Sequence, residues 1–161
     1  MSLTIRRARP DEAGLVLSLV RELAVYEKLL HEVEATEADI AEALFGANPR
    51  LFCDIAEWNG EVAGFAVWFV NYSTFAGRHG IYLEDLFVRP ALRGNGIGKA
   101  LLMHLAKTCV ANGWSRLQWA VLDWNAPSIE FYKSLGADMM DEWTICRVTG
   151  QALSALAEGA R

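Results

Sequence analysis

Apolar positions along the chain fall into two periods, and the alternation between them predicts the order of elements. Leu3–Arg7 reads as a short strand. Pro10-Asp11-Glu12 then opens a helix, with proline and acids where a first turn tolerates or favours them. Leu15, Leu19, Leu23 and Tyr26 recur at helical spacing and define its buried face. Thr36, followed by Glu37 and Asp39, caps a second helix that turns Ile40 and Leu44 inward and stops at Gly46. Leu51–Glu57 and Val62–Tyr72 read as strands joined by Asn59-Gly60, a pair suited to a turn in which both central residues need positive φ. The loop Ser73–Gly80 leads into a strand, Tyr82–Val88, and Ile97, Leu101, Leu105 and Cys109 then mark a helix ending near Asn112-Gly113. Leu117–Val121 is predicted as a strand, Asn125 to Leu135-Gly136 as a short helix, and Trp143–Val148 as a last strand. Early hairpins followed by a strand–helix–strand unit predict an α/β mixed sheet, its first half antiparallel. The strands Tyr82–Val88 and Leu117–Val121 should be parallel, with helices covering both faces.

The chemistry concentrates where the central strand ends. Arg89-Pro90 breaks the ladder, and Arg93, Gly94, Asn95, Gly96, Ile97, Gly98 and Lys99 follow at the start of the helix. Glycines there let backbone N–H groups approach an anion that the positive end of the helix already favours. Two familiar nucleotide loops are excluded. Gly94 and Gly98 enclose three residues rather than four, and Ala100 follows Lys99, so no hydroxyl is placed for magnesium. In a dinucleotide fingerprint the last glycine would fall on Lys99.

Composition narrows the partners. The 161 residues are 53% hydrophobic, enough for one soluble domain over residues 1–161. A net charge of −5 disfavours nucleic acid or an anionic membrane and favours cationic substrates. The three cysteines, Cys53, Cys109 and Cys146, have no metal-ligand spacing and read as reduced core thiols in a cytoplasmic protein. His31, His79 and His104 show no partner spacing for a triad or a metal. The six tryptophans read as core and cleft lining.

The run R-G-x-G-I-G after a strand resembles the pyrophosphate loop of the GNAT acyl-CoA N-acetyltransferases. Tyr82-Leu83-Glu84-Asp85, Asp123-Trp124-Asn125, Phe131-Tyr132-Lys133 and Gly136-Ala137 stand in the order seen in the diamine acetyltransferase family, which includes spermidine/spermine enzymes and a thialysine branch. Arg21-Glu22-Leu23-Ala24, with Tyr26-Glu27, is similar to that family's first helix. The resemblance implies the GNAT fold, acetyl-CoA as cofactor, no metal, and a homodimer.

It also implies roles. An aliphatic amine is mostly protonated near neutral pH, so a base must free its lone pair. Glu84 matches the family residue proposed for that relay, with Asp85 as the other acid beside it; Tyr26, Glu27, Glu84 and Asp85 would line the amine cleft. Plain strand alternation puts Tyr82, Glu84 and Leu86 on one face and Asp85 on the other, so both acids serve one cleft only if a bulge intervenes. The backbone of Leu86, Phe87 and Val88 would meet the acyl group and pantetheine arm. Arg93 to Lys99 would hold the pyrophosphate, with Asn125, Pro127, Ser128, Tyr132 and Lys133 completing the cofactor site. Tyr132 would protonate the departing thiolate.

The reading is therefore an acetyl-CoA-dependent N-acetyltransferase acting directly on a primary amine of a small molecule. A protein or peptide acetyltransferase and a non-catalytic acyl-CoA-binding module are the alternatives. The acid-free loop Ser73–Gly80 looks more like the thialysine branch, and Arg78 within it is a candidate partner for a substrate α-carboxylate.

Overall fold

The computed structural model describes residues 1–159, which form two compact units, Met1–Leu122 and the segment from Asp123 onward. The first unit holds a sheet of strands β1 (Leu3–Arg7), β2 (Phe52–Trp58), β3 (Glu61–Ser73), β4 (Arg78–Val88) and β5 (Leu117–Gln118), ordered as in the chain. β1 to β4 are antiparallel and β4–β5 is parallel, as the sequence predicts. Helices α1 (Ala13–Tyr26) and α2 (Glu37–Phe45) supply Val16, Leu19, Leu23 and Leu44 to a core with Cys53, Ile55, Phe65, Val67 and Phe87. Helix α3 (Ile97–Ala111) buries Ile97, Leu101, Leu105 and Cys109.

Local chemistry explains the joints. Asn59 and Gly60 both have positive φ, 52° and 83°, as their hairpin requires. Thr36 Oγ1 accepts from the Asp39 N–H while Asp39 accepts from the Thr36 N–H, fixing the start of α2. Arg6 holds Glu12 through two hydrogen bonds of 2.8 and 2.9 Å and also bonds Glu57, which ties β1 and β2 to the turn that opens α1. That grip, joined by the Arg9 N–H, lowers Glu12 from the usual 4.5 to about 2. A carboxylate whose folded pKa is lowered stabilises the fold above its unfolded pKa and loses that stabilisation as pH falls towards 2. We expect Glu12→Gln to cost about 2–3 kcal/mol at pH 7 and almost nothing near pH 2. Urea unfolding midpoints at both pH values check this; an equal deficit at both would show that charge is not what Glu12 contributes.

Several predicted boundaries shift. β4 begins at Arg78, so the predicted loop Ser73–Gly80 shrinks to a tight turn in which the Gly77 N–H donates to Ser73 O. Gly80 lies in the strand opposite Asn71, and the position suits glycine because a Cβ there would lie 2.5 Å from the Arg116 carbonyl oxygen. β5 stops at Gln118 rather than Val121. The predicted strand Trp143–Val148 does not form: its residues find no ladder, Trp143 and Ile145 are about three-quarters exposed, and Cys146 is exposed rather than a core thiol. Strand propensity without a partner strand does not make a strand. The second unit instead holds two helices, α4 (Ala126–Ser134) and α5 (Gly150–Ala157), the latter unforeseen. Among the tryptophans Trp68 is buried, while Trp124 and Trp143 are exposed.

Candidate active site

A bulge in β4 turns Asp85 to the face of the sheet that packs against α1. Trp68 of β3 pairs with Leu83, and its predecessor Val67 pairs with Asp85, leaving Glu84 as an extra residue. Paired residues share a face, so Asp85 lies with Val67, and Tyr82, opposite Phe69, lies on that same side. Leu86, opposite Ala66, points the other way. The alternation predicted for Tyr82, Glu84 and Leu86 is thus broken, and Tyr82 and Asp85 are brought to one face.

The charges report the same grouping. Asp85 is pushed up from 3.8 to about 7 by burial first, then by the negative charges of Glu84 and Glu27. Glu84 also acts, after burial, to raise the Tyr82 hydroxyl. Glu27, the cap residue just after α1, is raised by its own burial. Tyr26, the last residue of α1, packs against the core. Glu84 is exposed while Asp85 is partly covered, which gives the two neighbours different characters. An open recess of about 390 Å³ lies elsewhere, along α1 beside Gly14, Arg21 and Glu37, and is not lined by Glu27, Glu84 or Asp85.

Beyond these acids, the far end of β4 is open. β5 pairs with β4 only at Ile81 and Tyr82, so Leu86, Phe87 and Val88 have no ladder partner in β5. Past Val88 the chain makes a 3₁₀ turn at Pro90–Leu92 and enters the glycine-rich turn. Gly94 and Gly96 have φ of 83° and 76°, and a Cβ at either would meet nothing within 4 Å. Gly96 is the N-cap of α3 in the left-handed region, and no side chain caps the helix. Open space beside two glycines before an uncapped helix start suits the phosphates of a coenzyme A ester. Backbone from Arg93 to Lys99 would hold them, and the free edge of Leu86–Val88 would take the arm that follows.

The Arg93 side chain faces away from this role. Its Nε–H donates to Val88 O at 2.9 Å, and its guanidinium carbon lies 4.5 Å from the Tyr26 ring centre and 5.6 Å from that of Phe87. Arg78 is likewise engaged elsewhere, its Nη1 donating to Gly113 O just beyond α3. It starts β4 six residues before Glu84, roughly 20 Å away at 3.3 Å per residue. The pairing with a substrate α-carboxylate predicted for it gains no support from that placement.

In the second unit, Asn125 caps α4 by accepting from the Ser128 N–H, with Pro127 in the first turn. Asn125 and Tyr132 are both buried, the latter with its ring centre 5.5 Å from that of Phe131. Lys133, in the last turn, reaches Glu130 at 3.7 Å.

One polar centre had no signal in the spacing. Asp54, 2% exposed, accepts from Trp68 Nε1 at 2.7 Å and Arg7 Nε at 3.0 Å, with His104 Nε2 of α3 at 3.6 Å. A buried carboxylate of this kind is found from sequence only by noticing an acid inside a strand, since its partners lie 14 to 50 positions away.

A five-stranded mixed sheet whose parallel neighbour leaves the central strand open, with a glycine-rich turn leading into α3, is the arrangement of the GNAT acetyltransferase fold. The Acetyltransferase (GNAT) family matches residues 17–137, and this chain belongs to that family and is an enzyme of it. It is 40% identical to a thialysine N-epsilon-acetyltransferase from Bos taurus, over 95% of this chain and 96% of that protein. It is 32% identical to an L-ornithine N5-acetyltransferase from Arabidopsis thaliana, over 94% of this chain and 86% of that one. An integron cassette protein from the mobile metagenome of V. cholerae superposes with a TM-score of 0.81 and 30% identity, covering 98% of this chain and 99% of its own.

Proposed function

We propose that this acetyltransferase moves the acetyl group of acetyl-CoA directly onto the side-chain amine of a small cationic amino acid such as thialysine or ornithine. The observation that supports the reading is the bulge at Glu84, which turns Asp85 to the face where the charges of Glu84 and Glu27 both act on it. Acetyl-CoA, when bound, supplies an activated acetyl thioester. Glu27 and Glu84 attract and orient the incoming ammonium. Asp85, with its titration near neutrality, then takes the proton that frees the nitrogen lone pair, since a base works best when its pKa lies near the working pH. The resemblance expects Glu84 as the relay; in this proposal Glu84 orients the amine and its neighbour Asp85 takes the proton. Along Leu86, Phe87 and Val88, backbone N–H that faces the open edge of β4 steadies the acyl oxygen as charge builds on it, and the Tyr132 hydroxyl gives its proton to the departing sulfur. The homodimer implied by the resemblance and the cytoplasmic setting read from the cysteines belong to the same proposal.

The test is a comparison of kcat/KM for thialysine, ornithine, lysine, spermidine and a simple diamine, read by release of free thiol. A side-chain-amine amino acid should lead. Spermidine ahead by tenfold, about 1.4 kcal/mol of transition-state preference, would move the enzyme to polyamines. Faster turnover of a lysine-containing peptide than of free lysine would make it a protein acetyltransferase, and no thiol release with any amine would leave an acyl-CoA-binding module.

A further inference from the structure

The Arg93 side chain joins two parts of the chain that the proposed reaction uses separately. Its backbone opens the glycine-rich turn, whereas its guanidinium stacks on Tyr26 and Phe87 and its Nε is held by Val88 O. Tyr26 directly precedes Glu27, and Phe87 lies two residues beyond Asp85 on the same face of β4. Arg93 thus bridges the turn and the wall that carries the acids.

We propose that Arg93 couples the two binding events, so that an occupied phosphate turn tightens amine binding and a bound amine tightens cofactor binding by the same factor. The inference rests on the proposed function, because it takes the turn to hold the cofactor phosphates and the acids to hold the amine. The physical cause is shared ordering. A ligand on the turn fixes the Arg93 backbone, and the stacked guanidinium fixes Tyr26 and Glu27, so a second ligand has less freedom left to remove. Reciprocity follows from thermodynamic linkage. Charge alone would not do this. A lysine at the same position keeps the cation but loses the planar group that lies on two rings while donating through Nε.

Isothermal calorimetry with coenzyme A and thialysine, a pair that cannot react, reads the coupling directly. Each is titrated alone and then with the other at saturation. In the parent, the amine Kd should fall roughly five- to tenfold when coenzyme A is present, and the coenzyme A Kd should fall by the same factor. Arg93→Lys and Tyr26→Leu should each bring that ratio close to one, and the double variant should lose nothing further. Thermal unfolding of the variants without ligand controls for damage to the fold, and Tyr26→Phe, which keeps an aromatic face, should keep the coupling. Binding of both ligands by the parent with no coupling, or parental coupling in Arg93→Lys, overturns the inference alone. Failure of the parent to bind coenzyme A at all overturns the reading beneath it as well.

Discussion

Tyr132→Phe should lower kcat by about 10²–10⁴-fold, the range general acids contribute, with acetyl-CoA affinity little changed. The substitution isolates one atom. Tyr132 is buried in the last full turn of α4 beside Phe131, and a phenylalanine keeps the ring and its packing while removing the hydroxyl. A phenol hydroxyl at this position can donate its proton to a thiolate as sulfur departs. Steady-state kinetics with saturating amine reads the effect. If the tyrosine only fills space, Tyr132→Phe and the parent will share a kcat, and Tyr132→Leu will lose stability instead. A Tyr132→Phe enzyme whose kcat falls while its unfolding temperature stays unchanged separates the chemical role from the structural one.

The periodicity of the chain reached the elements that bury one regular face. Ile97, Leu101, Leu105 and Cys109 are all buried in α3, and Asn59-Gly60 makes its turn with both φ values positive, because each of these depends on neighbours close in sequence. The acid site was legible only in part. Glu84 and Asp85 stand out as residues, yet their shared environment depends on a register shift against Val67 and Trp68, which no local pattern encodes. The same limit hid Asp54, whose partners come from β1, β3 and α3. Trp143–Val148 failed for the opposite reason. Its composition suits a strand, but a strand exists only where another one offers hydrogen bonds, and composition does not report that. Arg78 and Arg93 each donate to a backbone carbonyl, Gly113 O and Val88 O, and no local pattern announces either contact.

Asp85→Asn should make the protein more stable and the enzyme much slower, and the stability gain should depend on pH in a defined direction. Asp85 is raised from 3.8 to about 7 in the folded protein, so between those values the folded chain holds a proton that the unfolded chain has released. Stability therefore falls as pH rises from about 4 to about 7 and levels off above that. Asparagine carries no charge to desolvate and none to set against Glu84 and Glu27, so the variant escapes this loss. At pH 8 the gain should approach, and not exceed, about 4 kcal/mol, from roughly three pKa units at 1.36 kcal/mol each; at pH 4 it should vanish. Urea unfolding across that range gives the curve, and kcat/KM on the same samples should drop by about 10²–10⁴-fold as the base is lost. Glu84→Gln sharpens the test. Removing a neighbouring negative charge lets Asp85 ionise more easily, so the acidic limb of the pH–rate profile should move to lower pH while a working base remains. An Asp85→Asn protein no more stable than the parent at pH 8 would mean that the carboxylate is well solvated after all. The burial that makes Asp85 a candidate base would then be absent, and Glu84, the more exposed of the two, would carry the proton.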